Sequence, residues 1–345
     1  MKILGTSEED IITAAEALRS GRLVAIPTET VYGLGANARD EAALAAVFAA
    51  KQRPTFDPLI IHVATPEGAD EVADLSLPYA REAIKAFWPG PLTLVLPKRD
   101  WVPALATSGL ATVAVRCPGL ALTRRLIAEA GVPVAAPSAN AFGHLSPTTA
   151  QHVADGLGDR VDFIVDGGPC ALGVESTVLD LSMDPPLVLR PGGLSLEAIR
   201  AVVPTVQLFD RATTSPRAPG QLPSHYAPSK PLRLFASGSL PGVATLAAGT
   251  PEGAAWVRST AALCFGRESA RAAAACGLFG SVTDLSPDGD PVTAAARLFS
   301  LLHDLETADC AEIWSERLPE AGLGRAVNDR LFKASVKDGA DGRHG

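Results

Sequence analysis

Lys51 and Arg53 stand two residues apart at the end of an alanine-rich stretch, immediately before Pro54. Cations at a helix C-terminus commonly do no more than complement the macrodipole. Here the Arg-Pro step and the apolar run PLIIHVA place both beside a sheet end, where open α/β sheets bind ligands, so an anion is the candidate ligand. Ser138 and Asn140, in PSAN, could offer a hydroxyl and an amide to a polar ligand, or simply form a turn. Ser146 opens SPTTAQHV as the expected N-cap of a helix whose exposed start would favour an anion. Polar residues also interrupt strand-like runs: His62 in LIIHVA, Arg116 closing TVAVR, and Ser176 with Thr177 in VESTVLDL. Singly, these are a packed core histidine and a solvated arginine. Converging from different strands, they would form a pocket in which Arg116 grips a carboxylate with its planar fork. Arg190, in RPGG, is a second strand-end arginine before a glycine turn. Gly33 and Gly35 of GLGANA are expected to make a tight turn. The third glycine of a dinucleotide fingerprint is missing, and no G-x-x-x-x-G-K-[ST] loop occurs.

The elements that must position these residues follow from periodicity. A first helix is expected over 7–20, capped by Ser7 with Asp10 three residues on, its stripe being Ile11, Ile12, Ala15 and Leu18. A second over 40–52 starts at Asp40 and turns Leu44, Val47 and Phe48 to one side, with Lys51 on the rim of that face. Strands are expected at 22–26, 58–64, 92–97, 112–116, 132–137, 161–166, 174–181 and 186–190. Helices near 78–88, 120–130, 147–155 and 195–201 lie between them. Irregular alternation of this kind implies an α/β domain on a mixed sheet, over 1–205. Residues 206–231 read as a proline-rich linker, and 232–340 as a second, smaller α/β domain before a frayed tail.

Bulk composition narrows the field. The 345 residues are 47% hydrophobic and 20% charged, which is globular composition for one large domain or two ordinary ones. A net charge of -8 argues against a whole-surface nucleic-acid binder, leaving at most weak direct binding through a local pocket. Cys117, Cys170, Cys264, Cys276 and Cys310 show no C-x-x-C spacing and read as buried thiols of a reducing compartment. The histidines do not cluster as metal ligands, and no apolar run is long enough to span a membrane. The opening MKILGTSEEDII lacks the pattern of a secretory signal, so a cytoplasmic protein is expected.

The signals gain weight from their order. PTETVYGLGANA, K-x-R-P, PLIIHVA, WPGPLTLVL, TVAVRCP, APSAN, SPT, VDGG, GVESTV and LRPGG together resemble the YrdC-like threonylcarbamoyl-AMP synthases over about residues 10–200. APGQLPSHYAP and GLGRAVNDRLFKAS resemble the long, two-domain form. The resemblance implies a twisted mixed sheet with a concave, positively lined cavity, then a linker reaching back over it and a smaller Rossmann-like domain. It implies synthesis of threonylcarbamoyl-AMP from L-threonine, bicarbonate or CO2, and ATP, with release of pyrophosphate. The product would pass to the machinery that modifies adenosine 37 of tRNAs reading codons that begin with A. By the same resemblance Lys51 and Arg53 hold the ATP phosphates as catalytic cations. Thr55, Thr112, Ser138, Asn140, Ser146, Arg190 and the linker residue Tyr226 also contact ATP. Thr28, His62, Arg116, Ala136 (through backbone) and Ser176 line the threonine pocket. Magnesium is implied with ATP, without an identified protein ligand.

One departure bears on mechanism. Many long-form members carry Lys-Tyr-Arg before the linker's His-Tyr-Ala-Pro, where this chain has Leu222, Pro223 and Ser224. Tyr226 and His225 are therefore expected to act by ring contacts and hydrogen bonds, with Lys51 and Arg53 supplying charge. Two rivals stand beside the synthase. Carbamoyl-adenylate chemistry, as in hydrogenase-maturation proteins, would bring zinc-finger cysteines that this chain lacks. An RNA-binding module sits poorly with the acidic charge.

Overall fold

Capping chemistry sets the first two helices. Ser7 accepts a hydrogen bond from Asp10 N and returns one to the Asp10 carboxylate, opening α1 (Glu8–Arg19). Asp40 accepts from Ala42 N and Ala43 N to open α2 (Glu41–Lys51), which ends at Gln52 in the left-handed conformation. On α1 the buried stripe is Ile11, Ala14, Ala15, Ala17 and Leu18, whereas Ile12 is exposed. Ile12 lies about 100° around the helix from Ile11, which takes it off the face that the sequence reading gave it.

The structure, a computed structural model, describes residues 1–209, 216–221 and 226–336. These divide into two compact units, the described residues of Met1–Phe142 with Ser146–Leu222, and those of Gly143–Leu145 with Pro223–Gly345.

The N-terminal unit is built on an eleven-stranded mixed sheet. In chain order the strands are β1 (Lys2–Leu4), β2 (Val24–Ile26), β3 (Gly33–Asn37), β4 (Ile60–His62), β5 (Leu92–Pro97), β6 (Thr112–Arg116), β7 (Val134–Ala135), β8 (Phe163–Val165), β9 (Thr177–Asp180), β10 (Leu187–Arg190) and β11 (Gln207–Leu208). Their order across the sheet is β1-β8-β2-β3-β7-β4-β6-β5-β9-β10-β11. Period-two alternation divides the core. Val24 and Ile26 pack with α1 and the helix Ala121–Ala130, while Ala25 joins Leu34, Leu44, Val47 and Ile61 on the other face.

GLGANA makes no turn; it is the strand β3, paired antiparallel with β2. A Cβ on Gly35 would sit 2.9 Å from Val24 O and 3.1 Å from Val134 Cγ1, and one on Gly33 would meet Ala136 Cβ at 3.1 Å. These glycines let neighbouring strands approach closely. The expected helix over 147–155 is Ala150–Leu157, and its cap is Thr149, which accepts from His152 N. Ser146 is occupied elsewhere. Of 132–137 only Val134–Ala135 joins the ladder, and β1 and β11 are strands that the periodicity did not show.

In the second unit β12 (Leu232–Phe235), β13 (Thr260–Cys264), β14 (Ser281–Asp284) and β15 (Glu312–Glu316) form an all-parallel sheet in the order β12-β15-β13-β14. Trp314 anchors its core, with the rings of Phe235, Trp256 and Phe279 at 4.9, 5.2 and 5.8 Å. Cys117, Cys170 and Cys264 are buried; Cys276 and Cys310 are half-buried.

Candidate active site

β4 and β6 run parallel with Ile60 against Ala114 and His62 against Arg116. Two collections of polar residues gather at opposite ends of this pair. His62 and Arg116 close the strands at one end. At the other, the turn carrying Arg53 and Asp57 leads into β4, and half-buried Thr112 opens β6.

Arg116 is 3% exposed, and every side of its guanidinium is engaged. Nη2 donates to Glu29 Oε1 at 2.6 Å, Nη1 to Thr30 Oγ1 at 2.9 Å, and Nε to Gly90 O at 3.2 Å. Glu29 and Thr30 are brought there by the turn after β2, which Thr28 folds. Its hydroxyl donates to Val31 O at 2.7 Å, accepts from Thr30 N and Val31 N, and lies 2.7 Å from the Thr30 hydroxyl. Burial pushes the Glu29 carboxyl up, but Arg116 and the Gly119 amide outweigh it and hold the carboxyl below its ordinary value. Its Oε2 is buried and accepts no hydrogen bond among the described residues. His62 is buried, its pKa pushed down to about 3 by burial first and by the Arg116 charge second. Its Nδ1 makes no hydrogen bond among the described residues. This end therefore holds a forked cation, a carboxylate and a neutral imidazole.

The other end is a collection of cations. Lys51 is 1% exposed, not on the rim of the α2 face. Its Nζ donates to the carbonyls of Ser138 and Asn140, each at 2.5 Å, so K-x-R and S-x-N are one unit. Ser138 is half-buried and bridges to Gly33; the Asn140 amide donates to Ala141 O at 2.9 Å. Arg53 pairs with Asp57 at 2.8 Å and donates to the carbonyls of Asp57 and Pro58 at 3.1 and 2.8 Å. Thr55 is exposed on that turn. Burial and Arg53 push the Lys51 pKa well below its ordinary value, while burial raises that of Asp57 against the pull of Arg53, Lys51 and Arg190.

Further along the sheet, Arg190 donates to Ser176 O at 2.9 Å and to Ser176 Oγ at 3.2 Å through Nη2, and to Pro219 O at 3.3 Å through Nη1. The Ser176 and Thr93 hydroxyls lie 2.8 Å apart. Ser146, three residues before the cap Thr149, donates to buried Glu175. Ala136 presents backbone, its N–H donating to Ile60 O at 2.9 Å.

Tyr226 belongs to the second unit. Its ring is buried there, 5.8 Å from the Phe299 ring and with the Arg330 guanidinium 4.9 Å from its centre. His225, with Leu222, Pro223 and Ser224, lies outside the described residues. A cavity of about 400 Å³ in the N-terminal unit, lined by residues including Leu75, Arg81, Ile84 and Trp88, contains none of the candidate residues.

Sequence reasoning missed Glu29, Thr30, Asp57 and Glu175. Each carboxylate stands beside a candidate cation or hydroxyl, as in P-T-E-T and K-x-R-P-x-x-D. An acidic residue inside a run that must be buried was the available signal.

Comparison with known proteins bears on these groupings. A family model described as telomere recombination, covering Sua5, YciO and YrdC, matches residues 16–192. A second, described as the C-terminal domain of threonylcarbamoyl-AMP synthase, matches 194–336. The threonylcarbamoyl-AMP synthase of Pyrococcus abyssi is 41% identical over 95% of this chain and 94% of its own length. That of Bacillus subtilis is 40% identical over 96% and 94%. The crystal structure of P. abyssi Sua5 complexed with L-threonine superposes with a TM-score of 0.87 at 40% identity, covering 97% of this chain and 98% of that one.

Proposed function

We infer the chemistry of this site from one premise: the chain belongs to the threonylcarbamoyl-AMP synthases, in the form that carries a C-terminal domain. It makes L-threonylcarbamoyl-AMP for threonylcarbamoyladenosine modification of tRNA. ATP and bicarbonate or CO2 are the proposed co-substrates of L-threonine, and the tRNA-modifying machinery the proposed recipient.

Threonine's amine loses a proton and captures CO2 as a carbamate. A carbamate oxygen then attacks the α-phosphorus of ATP, forming the new P–O bond as the bond to pyrophosphate breaks. Carbamates form without strong base, so the demands on the protein are alignment and charge. The observation that carries this assignment is the separation of His62 and Arg116 from Arg53 and Thr112 at the two ends of β4 and β6.

Arg116 takes the threonine carboxylate. Glu29, 2.6 Å from Nη2, occupies the geometry that the guanidinium offers such a group. Thr28, His62, Ser176 and the Ala136 backbone complete that pocket, and the neutral His62 can accept a hydrogen bond from the amine. Lys51 and Arg53 meet the phosphates, with Arg190, Thr55, Thr112, Ser138, Asn140 and Ser146 around the nucleotide. Among the described residues no three His, Cys, Asp or Glu side chains converge as a metal site. Magnesium is proposed to arrive on the ATP phosphates, and no step above depends on a protein ligand for it.

Pyrophosphate release with ATP and bicarbonate, measured with and without L-threonine, tests the reading. Threonine-dependent release is expected. Release that requires carbamoyl phosphate, or no release, would overturn it.

A further inference from the structure

Asp57 is fully buried at the heart of the cation collection, in a turn that Arg53 closes. Arg53 N donates to Phe48 O, Asp57 N to Pro54 O, and the Arg53 guanidinium reaches the carbonyls of Asp57 and Pro58. Across that turn Asp57 Oδ2 lies 2.8 Å from Arg53 Nη2. That contact is an ion pair, and neither Asp57 oxygen accepts a well-formed hydrogen bond among the described residues. Burial raises the Asp57 pKa, and the charges that act against it to favour the carboxylate are Arg53, Lys51 and Arg190.

We propose that Asp57 is a positioning residue for the phosphate-binding cations, fixing the Arg53 guanidinium and supplying the negative charge that keeps Lys51 and Arg53 together as a cationic pair. This rests on the assignment of Lys51 and Arg53 to the ATP phosphates. Without the Asp57 charge the repulsion between the two buried cations is no longer offset, and Arg53 keeps the carbonyls of Asp57 and Pro58 but loses the charged partner of its fork. Lys51 depends on it as well. The charged groups that bear on its ammonium are Arg53 and Arg160, which disfavour the proton, and Asp57, which favours it. The carbonyls of Ser138 and Asn140 hold the ammonium in place but carry no net charge. The plainer alternative is a structural ion pair that only closes the turn into β4.

The two differ in what Asp57→Asn does to the full-length enzyme. The substitution keeps the shape of the side chain and removes its charge. A positioning role raises KM for ATP about tenfold while KM for L-threonine stays within about twofold. It also moves the alkaline loss of activity, which marks Lys51 losing its proton, to lower pH by about half a unit or more. Equal effects on both substrates, or an alkaline limb that does not move, would overturn the proposal in favour of the structural pair. Should Asp57→Asn fail to fold in a thermal melt, Asp57→Glu carries the test. Its displaced charge should raise KM for ATP selectively and leave the limb where the wild type has it; equal losses for both substrates would overturn the proposal. Failure of the wild type to release pyrophosphate in a threonine-dependent way would instead sink the assignment of the site.

Discussion

The buried, neutral His62 makes stability depend on pH in a way that one substitution isolates. In the fold its pKa is pushed down to about 3 by burial and by Arg116. In the unfolded chain an imidazole titrates near 6.5. Between these values the unfolded state binds a proton that the folded state refuses, so stability falls as the pH drops. The His62 contribution is fully present above about pH 6.5, declines at close to 1.4 kcal/mol per pH unit below it, and levels off near the folded value. Between pH 7 and pH 5 the loss comes to about 2 kcal/mol. His62→Gln removes the titration while keeping a polar group of similar size. Urea unfolding followed by hydrogen exchange of the β4 and β6 peptides reads the N-terminal unit by itself. The wild type should lose about 2 kcal/mol more than His62→Gln between the two pH values, whatever the variant's stability at pH 7. Other titrating groups are common to both proteins and cancel. Equal losses would falsify the account, for they would mean that the folded His62 accepts its proton freely.

Two further predictions concern substrates and packing. Lys51→Ala should raise KM for ATP about tenfold, whereas Arg116→Lys, which keeps the charge and loses the fork, should raise KM for L-threonine by a similar factor. Steady-state kinetics with each substrate varied in turn checks the division, and an exchanged pattern would sink it. Gly35→Ala should lower the melting temperature by an amount equivalent to about 1–3 kcal/mol, because the new methyl meets Val24 O at 2.9 Å, a backbone atom of the paired strand. An unchanged melting temperature would mean that β2 and β3 can part at no expense.

What could be read from the chain divides along physical lines. Elements announced by a cap and a period emerged close to their expected bounds: α1 behind Ser7, α2 behind Asp40, and β6 over Thr112–Arg116. These depend on neighbours in sequence, and the signal is local. Ser146 illustrates the limit. As a serine before a helical pattern it had every local qualification for a cap, but Glu175 is its partner and Thr149 took the position. That competition is settled by strands far apart in sequence. Gly33 and Gly35 failed for a related reason: glycine permits a turn, yet it also permits two backbones to touch, and only the partner strand distinguishes these uses.

The cations were legible by type and motif, their surroundings much less so. Lys51 on a helix rim would be a solvated charge with an ordinary pKa. Buried and held by the carbonyls of Ser138 and Asn140, it is a charge whose protonation depends on what stands nearby. The same holds at the other end of β4 and β6, where Arg116 does not wait in solvent but already grips Glu29. A buried cation needs a counter-charge, and a lysine without one tends to lose its proton, so a site built to receive an anion needs that balance before the anion arrives. Glu29 and Asp57 meet this need, one for the amino-acid end and one for the phosphate end. The acidic residues that sequence reasoning passed over are thus part of the reason why the cations that it found can stay charged inside the fold.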